Sequence, residues 1–113
     1  MARYIPQQKD IISLRMPVTG TASEKQRYLV VSATAYNRLG RCILCPVVEF
    51  GHGLRTEVKL PIGQRTAGLV VADQCRNLDW RLRWPRKHDQ LTDNAVFMRV
   101  IETLHTLVQL VNS

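Results

Sequence analysis

The strongest constraint on the fold of this chain is a series of short, β-branched apolar runs with turn-forming residues between them. Each run has the length of a strand, and glycine or proline punctuates most of the gaps. The body of the chain is therefore predicted to be rich in strands. The six predicted strands cover Asp10 to Met16, Tyr28 to Ala33, Cys42 to Val48, Thr56 to Leu60, Gly68 to Ala72 and Leu78 to Arg83.

The segments between these runs carry loop or turn chemistry. They are Pro17 to Ala22, Gly51 to Gly53, Pro61 to Gly63 and Trp84–Pro85. One connection differs, because Ala33 to Leu39 lacks alternation and ends at Gly40. That pattern predicts one or two helical turns with a glycine stop.

The C-terminal segment changes its hydrophobic period from two to between three and four. Its apolar residues are Phe97, Val100, Ile101, Leu104, Leu107, Val108 and Val111. This spacing predicts an amphipathic helix whose apolar stripe packs on one face of the sheet. Thr92 or Asp93 is expected to cap its start by accepting a backbone hydrogen bond, and His105 is expected to be structural or on the surface.

Length and charge narrow the possible functions. A chain of 113 residues has the size of one domain, so a single domain over residues 1–113 is expected. The formal charge of +7 favours polyanionic partners, although a basic but unspecialised surface would give the same total. Without a signal-like or membrane-length apolar run, the chain is predicted to act in the cytoplasm and not in a membrane.

The three cysteines fit a reducing compartment better than a disulfide framework. Cys42 and Cys45 have the spacing of a metal or redox CxxC pair. They lie in a predicted strand, where residues three apart point to opposite faces, and no second pair with ligand spacing accompanies them. We therefore predict buried structural thiols, with no metal and no cofactor.

Three segments carry a recognisable combination of residues. They are Arg3 to Pro6 with Asp10 to Ile12, Ser32 to Arg38, and Gly68 to Arg83 with its Asp-Gln, basic, apolar, Trp-Arg-x-Arg pattern. Together they resemble the MazF/PemK/Kid family of toxin–antitoxin ribonucleases: the first its N-terminal entry, the second its serine-to-Tyr/Phe-Asn segment, and the third, the most specific, its signature.

The resemblance implies a mainly β fold with α: a barrel-like, SH3-like antiparallel sheet with a C-terminal helix, usually as a homodimer. It also implies a metal-independent endoribonuclease toxin that cuts single-stranded RNA at short sequences and so inhibits translation. An acidic antitoxin would hold such a toxin silent, and DNA would be bound only indirectly, through that antitoxin.

Metal-free RNA cleavage through the 2′-hydroxyl needs a base, an acid and positive charge at the phosphate. In the family, an Arg after the first long loop and a Thr at the end of the third strand are the usual pair. Counted from the N-terminal match, Arg27 falls on that Arg, where it would hold the phosphate. Counted back from Ser32, Gln26 falls there instead, and Arg27 is then an exposed loop residue.

Val48 stands at the position that the resemblance gives to the Thr, and valine has no hydroxyl to donate or accept a hydrogen bond. Glu49 as a base and His52 as an acid are the candidates to compensate. The alternative for this pair is a solvated carboxylate and a turn histidine.

A second set of residues is predicted to contact RNA. Asp73 and Gln74 match the family signature, although turn stabilisation would also explain them. The basic stretch around Trp80 and Trp84 suits phosphates and unpaired bases, unless Trp80 is core and the charges are a solvated face. The predicted RNA contacts are Asp73, Gln74, Arg76, Arg81, Arg83, Arg86 and Lys87, with His88 in the same stretch.

Two other functions stay open. The same scaffold without cleavage would act by binding, either to an antitoxin or to another target such as DNA gyrase, as CcdB toxins do. A stand-alone nucleic-acid-binding module is the third possibility, and strong salt dependence would accompany it as it would the ribonuclease.

Overall fold

The structure, a computed structural model, describes residues 3–15 and 26–108. Over these ranges the chain forms short strands, two α-helices, and single 3₁₀ turns at Ala72–Gln74 and Trp80–Leu82. In chain order the elements are β1 (Asp10–Ser13), β2 (Arg27–Val30), α1 (Thr34–Asn37), β3 (Arg41–Val48), β4 (Glu57–Lys59), β5 (Leu69–Val71), β6 (Arg76–Asp79), β7 (Arg86–Gln90) and α2 (Asn94–Val108).

All the strand pairs are antiparallel, and the sheet runs in the order β4-β5-β3-β2-β1-β7. The long strand β3 organises it, because β3 pairs with β2 along one edge and with β6 and then β5 along the other. The predicted fold class, a mainly β, barrel-like antiparallel sheet with a C-terminal helix, is confirmed.

The sheet buries one apolar cluster on each side. The first cluster joins β1, β2, β3 and β5 to the helix α2, through residues such as Ile11, Leu29 and Phe97. The second lies on the other side and includes Ile12, Leu44 and Trp80. Neighbouring residues of β1 enter different clusters because successive strand side chains point to opposite faces.

The same alternation decides the role of the CxxC pair. Cys42 belongs to the second cluster and Cys45 to the first, so their thiols lie on opposite sides of β3. Burial raises the pKa of each thiol to about 12, which keeps them protonated and unreactive at neutral pH. The prediction of buried structural thiols is confirmed.

Both predicted helices form. α1 occupies Thr34–Asn37 inside the predicted Ala33 to Leu39, and Gly40 follows it with a φ of 104°. This left-handed conformation suits glycine. At α2, the carboxylate of Asp93 accepts hydrogen bonds from the backbone N–H of Ala95 (2.9 Å) and Val96 (3.2 Å), so Asp93 is the helix cap.

The segment after β5 departs from the prediction. A strand over Leu78 to Arg83 is wrong beyond Asp79, because β6 covers Arg76–Asp79 and Trp80–Leu82 form a 3₁₀ turn. The turn carries the Trp80 side chain into the second cluster. Strand alternation, which would place Arg81 and Arg83 together on one outer face, therefore does not extend to these two residues.

The strand β7 was not predicted. Its sequence, Arg-Lys-His-Asp-Gln, has no apolar residue, yet it pairs with β1 over Asp10–Ser13. Pairing by backbone hydrogen bonds does not require apolar side chains, which is why a hydrophobicity pattern misses such a strand.

The other strand predictions hold with shifted bounds: β1, β4 and β5 are shorter than predicted, whereas β2 begins at Arg27 and β3 at Arg41, each one residue earlier than predicted. Met16, the loop Pro17 to Ala22 and Val111 lie outside the described residues. Among the helices of the described ranges, none is both long and apolar enough to cross a membrane.

Candidate functional site

A cavity of about 690 Å³ opens at the end of the sheet where β2 begins and β3 finishes. Its walls come from β2, β3, the loop between β4 and β5, and the unpredicted strand β7. The residues that line it are Arg27, Val47, Val48, Glu49, Phe50, Arg65, Thr66, Ala67, Gly68 and His88.

Arg27 is the first residue of β2, and it stands opposite Val47 of β3. Its place in the cavity wall agrees with the register counted from the N-terminal match. Gln26 has a different use, since its side-chain amide donates to the backbone oxygens of Arg27 (2.8 Å) and Val47 (3.1 Å). The structure thus puts Arg27, and not Gln26, in the cavity.

Val48 and Glu49 follow Val47 in the cavity lining, at the end of β3, where the resemblance implies a catalytic Thr. Gly68 lies tightly against them, because a Cβ added to it would come within 2.1 Å of the Val48 carbonyl oxygen. The φ of Gly68 is also +127°, which side chains rarely adopt. A glycine is therefore required where the β4–β5 loop meets the end of β3.

Of the two residues expected to compensate for the Thr, the cavity contains one. Glu49 lines it, whereas His52 is not among its lining residues. The backbone N–H of His52 donates to both carboxylate oxygens of Glu57 (3.1 and 2.9 Å), and the N–H groups of Gly53 and Leu54 donate to the same carboxylate. The hydrogen bond from His52 contributes most to lowering the pKa of the Glu57 carboxyl, followed by those from Leu54 and Gly53. Together these bonds hold the loop between β3 and β4 in place.

The residues predicted to contact RNA are spread over the surface and do not line the cavity. Asp73 and Gln74 form the exposed 3₁₀ turn after β5, and Arg76 is exposed on β6. Arg81 lies next to Gly40, which precedes the first residue of β3. The length of β3, roughly 20 Å, separates this end of the sheet from Val48.

Two of these basic side chains are ion-paired with carboxylates. Arg81 bonds to Asp79 at 2.9 Å, and this guanidinium holds the pKa of the Asp79 carboxyl below its ordinary value. Lys87 lies 3.3 Å from the fully buried Asp10. Both pairs leave less of the positive charge for a phosphate.

Arg83 and Arg86 lie closer to the cavity end. Arg86 stands opposite Ser13 in the β1–β7 pair, and the Arg83 carbonyl accepts a hydrogen bond from the Arg15 backbone N–H at 2.7 Å. The two tryptophans also differ: Trp80 is buried and Trp84 is 63% exposed. Trp80 is therefore core, and only Trp84 offers a surface for stacking.

Three of the polar lining residues were not predicted as part of the site: Arg65, Thr66 and His88. An arginine and a threonine between Gly63 and Gly68 are a weak signal for a phosphate-binding loop. His88 was noted only as a member of the basic stretch, because the strand that directs it was missed. With Arg27, these residues give the cavity two guanidinium groups and an imidazole facing one carboxylate, Glu49.

His88 is held by a buried partner. Its Nε2 lies 2.7 Å from the hydroxyl oxygen of Ser13, and Ser13 is 2% exposed. The β1–β7 register shifts between Ile11 and Ile12, so His88 is the extra residue of a β-bulge. Bulges commonly redirect a side chain, and this one presents the imidazole to the cavity.

The loop that carries Arg65 is tied to the same strand by Asp89. The Asp89 carboxylate accepts from the Gln64 side chain (2.7 Å) and from the backbone N–H of Thr66 (2.8 Å) and Gln90 (2.8 Å). Partial burial alone would raise the pKa of Asp89, but these hydrogen bonds outweigh it and lower the pKa.

Asp89→Asn is expected to lower the free energy of unfolding at pH 7 by about 1 kcal/mol, since Asp89 is partly exposed. A carboxyl whose pKa is lower in the folded state stabilises the fold at pH values above its unfolded-state pKa of about 3.9. This stabilisation is lost as the pH falls through the folded-state pKa. Urea unfolding from pH 7 to pH 3 measures this: the gap to wild type should begin to narrow below about pH 4. Glu102→Gln, at an exposed carboxyl on α2, serves as the control, and a gap that stays constant from pH 7 to pH 3 would contradict the role of charge.

Comparison with known proteins agrees with this architecture. Residues 7–108 match the family model described as PemK-like, MazF-like toxin of type II toxin-antitoxin system. The endoribonuclease toxin MazF of Escherichia coli (strain K12) is 33% identical over 90 residues, 77% of this chain and 80% of that protein. The endoribonuclease MazF of Escherichia coli O157:H7 gives the same values.

Solved structures match over most of the chain. A crystal structure of MazE-MazF (Form-I) from Deinococcus radiodurans superposes with a TM-score of 0.80 and 31% identity, covering 93% of this chain and 97% of that chain. MazF (Form-I) of the same organism gives 0.78 and 33%, with the same coverage. An endoribonuclease from a mycobacterial species, at 18% identity and a TM-score of 0.74, shares the fold over 98% of both chains.

The barrel-like sheet, the C-terminal helix and the cationic cavity at the sheet's end define a protein of the MazF structural class. The chain belongs to the family of PemK-like, MazF-like toxins of type II toxin-antitoxin systems.

Proposed function

We propose that this toxin is a metal-independent endoribonuclease that cuts single-stranded RNA at a short sequence and thereby inhibits translation. The observation that carries the proposal is the cavity, where Arg27 and Arg65 face Glu49 at the end of β3. Two guanidinium groups suit a phosphodiester, and a carboxylate suits proton removal. The names of the two Escherichia coli relatives support the same activity.

The proposed reaction uses the RNA's own 2′-hydroxyl. Glu49 takes the proton of that hydroxyl, the 2′-oxygen attacks the phosphorus, and the bond from phosphorus to the 5′-oxygen breaks. Arg27 binds the non-bridging phosphate oxygens, whose charge grows in the transition state. The departing 5′-oxygen then needs a proton, the role that sequence analysis gave to His52.

The RNA would extend beyond the cavity. Arg83, Arg86 and the exposed Trp84 are the nearest of the predicted contacts, with phosphate binding for the arginines and base stacking for the tryptophan. Asp73, Gln74 and Arg76 are proposed as more distant contacts. Arg81 and Lys87 would contribute less, because each is paired with a carboxylate.

An acidic antitoxin is the proposed protein partner, in the cytoplasm and with the toxin as a homodimer. The net charge of +7 suits an acidic tail. Apolar side chains would bind next to the cavity, where Phe50 (85% exposed) and Ile62 (98% exposed) border a groove. The crystallised MazE-MazF assemblies of Deinococcus radiodurans support such a partner, and DNA would be reached only through it.

A second candidate function rests on Val48. Because valine offers no hydroxyl at the end of β3, a scaffold that binds its partners without cutting RNA is the alternative.

Incubation of the purified protein with a long single-stranded RNA in EDTA, with cut sites read by primer extension, tests the proposal. We expect cuts at one recurrent short sequence. A DNA strand of the same sequence is the matched control and should stay intact, since it lacks the 2′-hydroxyl. Intact RNA, with protein that circular dichroism and light scattering show to be folded and dimeric, would favour the binding scaffold.

A further inference from the structure

We propose that His88 is the general acid of this site and that the buried Ser13 positions its imidazole. The proposal rests on the proposed ribonuclease function. That function needs a group to protonate the departing 5′-oxygen, and no residue of the cavity has yet been given this role. Histidine suits the role because it gains and loses a proton near neutral pH.

The position of the His88 ring supports this assignment. His88 lines the cavity together with Arg27 and Glu49, so its ring shares the proposed phosphate site with the guanidinium and with the proposed base. The cavity would hold the scissile phosphate between them, with the acid and the base on different walls: Glu49 follows β3, and His88 lies on β7. Such a separation is what in-line attack and departure require, because the 2′-oxygen and the 5′-oxygen lie on opposite sides of phosphorus.

The His88 ring is held in place by a hydrogen bond to a buried side chain. The Ser13 hydroxyl is 2.7 Å from His88 Nε2, and a side chain with 2% exposure has little freedom to turn away. A hydrogen bond from a buried neighbour fixes the orientation of a working histidine and selects its tautomer. The β-bulge at His88 also positions the ring, because it turns the side chain toward the cavity.

Other groups near the cavity fit the acid role less well. His52 is not among the residues that line the cavity. The Thr66 hydroxyl is another candidate proton donor, but it is hydrogen-bonded to the Asp89 carboxylate. Among the described residues that line the cavity, His88 is the only histidine. The Val48 side chain has no acidic proton to donate.

Protonated His88 gives one ring proton to the 5′-oxygen as its bond to phosphorus breaks, while Glu49 takes the proton of the 2′-hydroxyl. The products are a 2′,3′-cyclic phosphate and a 5′-hydroxyl, with His88 left neutral and Glu49 protonated. Exchange with water restores both groups for the next turnover.

A substrate whose leaving group needs no proton tests the acid directly. Once the cut sequence is mapped, two short RNAs are compared in single-turnover assays: the ordinary one, and one in which sulfur replaces the bridging 5′-oxygen. We expect His88→Gln to slow cleavage of the ordinary RNA roughly 10²- to 10⁴-fold. On the sulfur-bridged RNA, the variant should come within about threefold of wild type, because a thiolate leaves without protonation.

Ser13→Ala tests the positioning role. It should lower kcat on the ordinary RNA roughly tenfold to a hundredfold with little change in KM, and the sulfur-bridged RNA should remove most of that loss. Merely damaged folding would slow both substrates equally. His105→Gln, at an exposed histidine of α2, is the matched control and should behave as wild type.

The outcomes separate the two proposals. If wild type cuts RNA and His88→Gln cuts it as fast, or is equally slow on both substrates, His88 is not the acid while the ribonuclease function stands. Loss in His52→Gln, relieved by the sulfur-bridged RNA, would move the acid to His52. If wild type does not cut RNA at all, the ribonuclease function fails and the acid role falls with it.

Discussion

Replacing Arg27 by alanine is expected to slow RNA cleavage by roughly a hundred- to a thousandfold, the usual loss when one donor to a transition-state charge is removed. Arg27 lies where β2 begins, opposite Val47 in the cavity wall. A guanidinium held at the start of a paired strand is already oriented when the phosphate charge grows, so it stabilises that charge without reorganisation. Arg27→Lys should recover part of the rate, since it keeps the charge but loses the two parallel hydrogen bonds.

Primer extension and single-turnover rates on the mapped RNA measure this effect, in the presence of EDTA. Arg99→Ala, at an exposed arginine of α2 outside the cavity lining, removes the same charge and should cut RNA at the wild-type rate. Equal losses in the two variants would mean that general positive charge, and not the place of Arg27, drives the reaction. An Arg27→Ala variant as fast as wild type would remove Arg27 from the site.

Trp80→Ala should be the most destabilising of the predicted changes, lowering the free energy of unfolding by about 3–5 kcal/mol. The indole is 4% exposed within the second cluster. Its N–H donates to the Asn37 carbonyl at 2.8 Å. The Asn37 side chain is itself fully buried and donates to the Pro6 carbonyl at 2.7 Å. Removing the indole leaves a cavity and takes one of two donors from the Asn37 carbonyl, which keeps the Gly40 backbone N–H at 3.0 Å.

Trp84→Ala provides a matched comparison, since it removes the same side chain from a position that is 63% exposed. Guanidinium-chloride unfolding should shift by less than about 1 kcal/mol for Trp84→Ala. In RNA binding the order should reverse, with Trp84→Ala weaker than wild type by about 1–3 kcal/mol if it stacks on a base. Similar unfolding losses in both variants would contradict the assignment of Trp80 to the core.

The sequence predicted those parts of the fold that depend on hydrophobic period. The runs that became β1 to β5 alternate or are continuously apolar, and α2 repeats every three to four residues, so burial marks each of them. The opposite faces of Cys42 and Cys45 followed from the same period. Where the period is absent, prediction failed: β7 is polar throughout, and the 3₁₀ turn at Trp80–Leu82 looks like a continuation of β6.

The candidate site shows the same division. Arg27, Val48 and Glu49 were identified through the family resemblance, and the pairing of β2 with β3 brings the start of one strand beside the end of the other. His88 and Arg65 come from β7 and from the β4–β5 loop, both distant in sequence. His88 reaches the cavity because β7 pairs with β1, and Arg65 reaches it because Asp89 binds the β4–β5 loop. Neither of these long-range contacts is visible in a local sequence pattern.

The polar character of β7 has a consequence for the solubility of the toxin. Within the described chain β7 pairs only with β1, so one side of its backbone has no strand beside it. An open edge of this kind can recruit strands from other molecules, and charged side chains with a bulge are the usual protection against such aggregation. Arg86 and Lys87 supply the charge, and His88 is the bulge. The β-bulge that directs the His88 imidazole to the cavity would thus also hinder strands of other molecules from adding to this edge of the sheet.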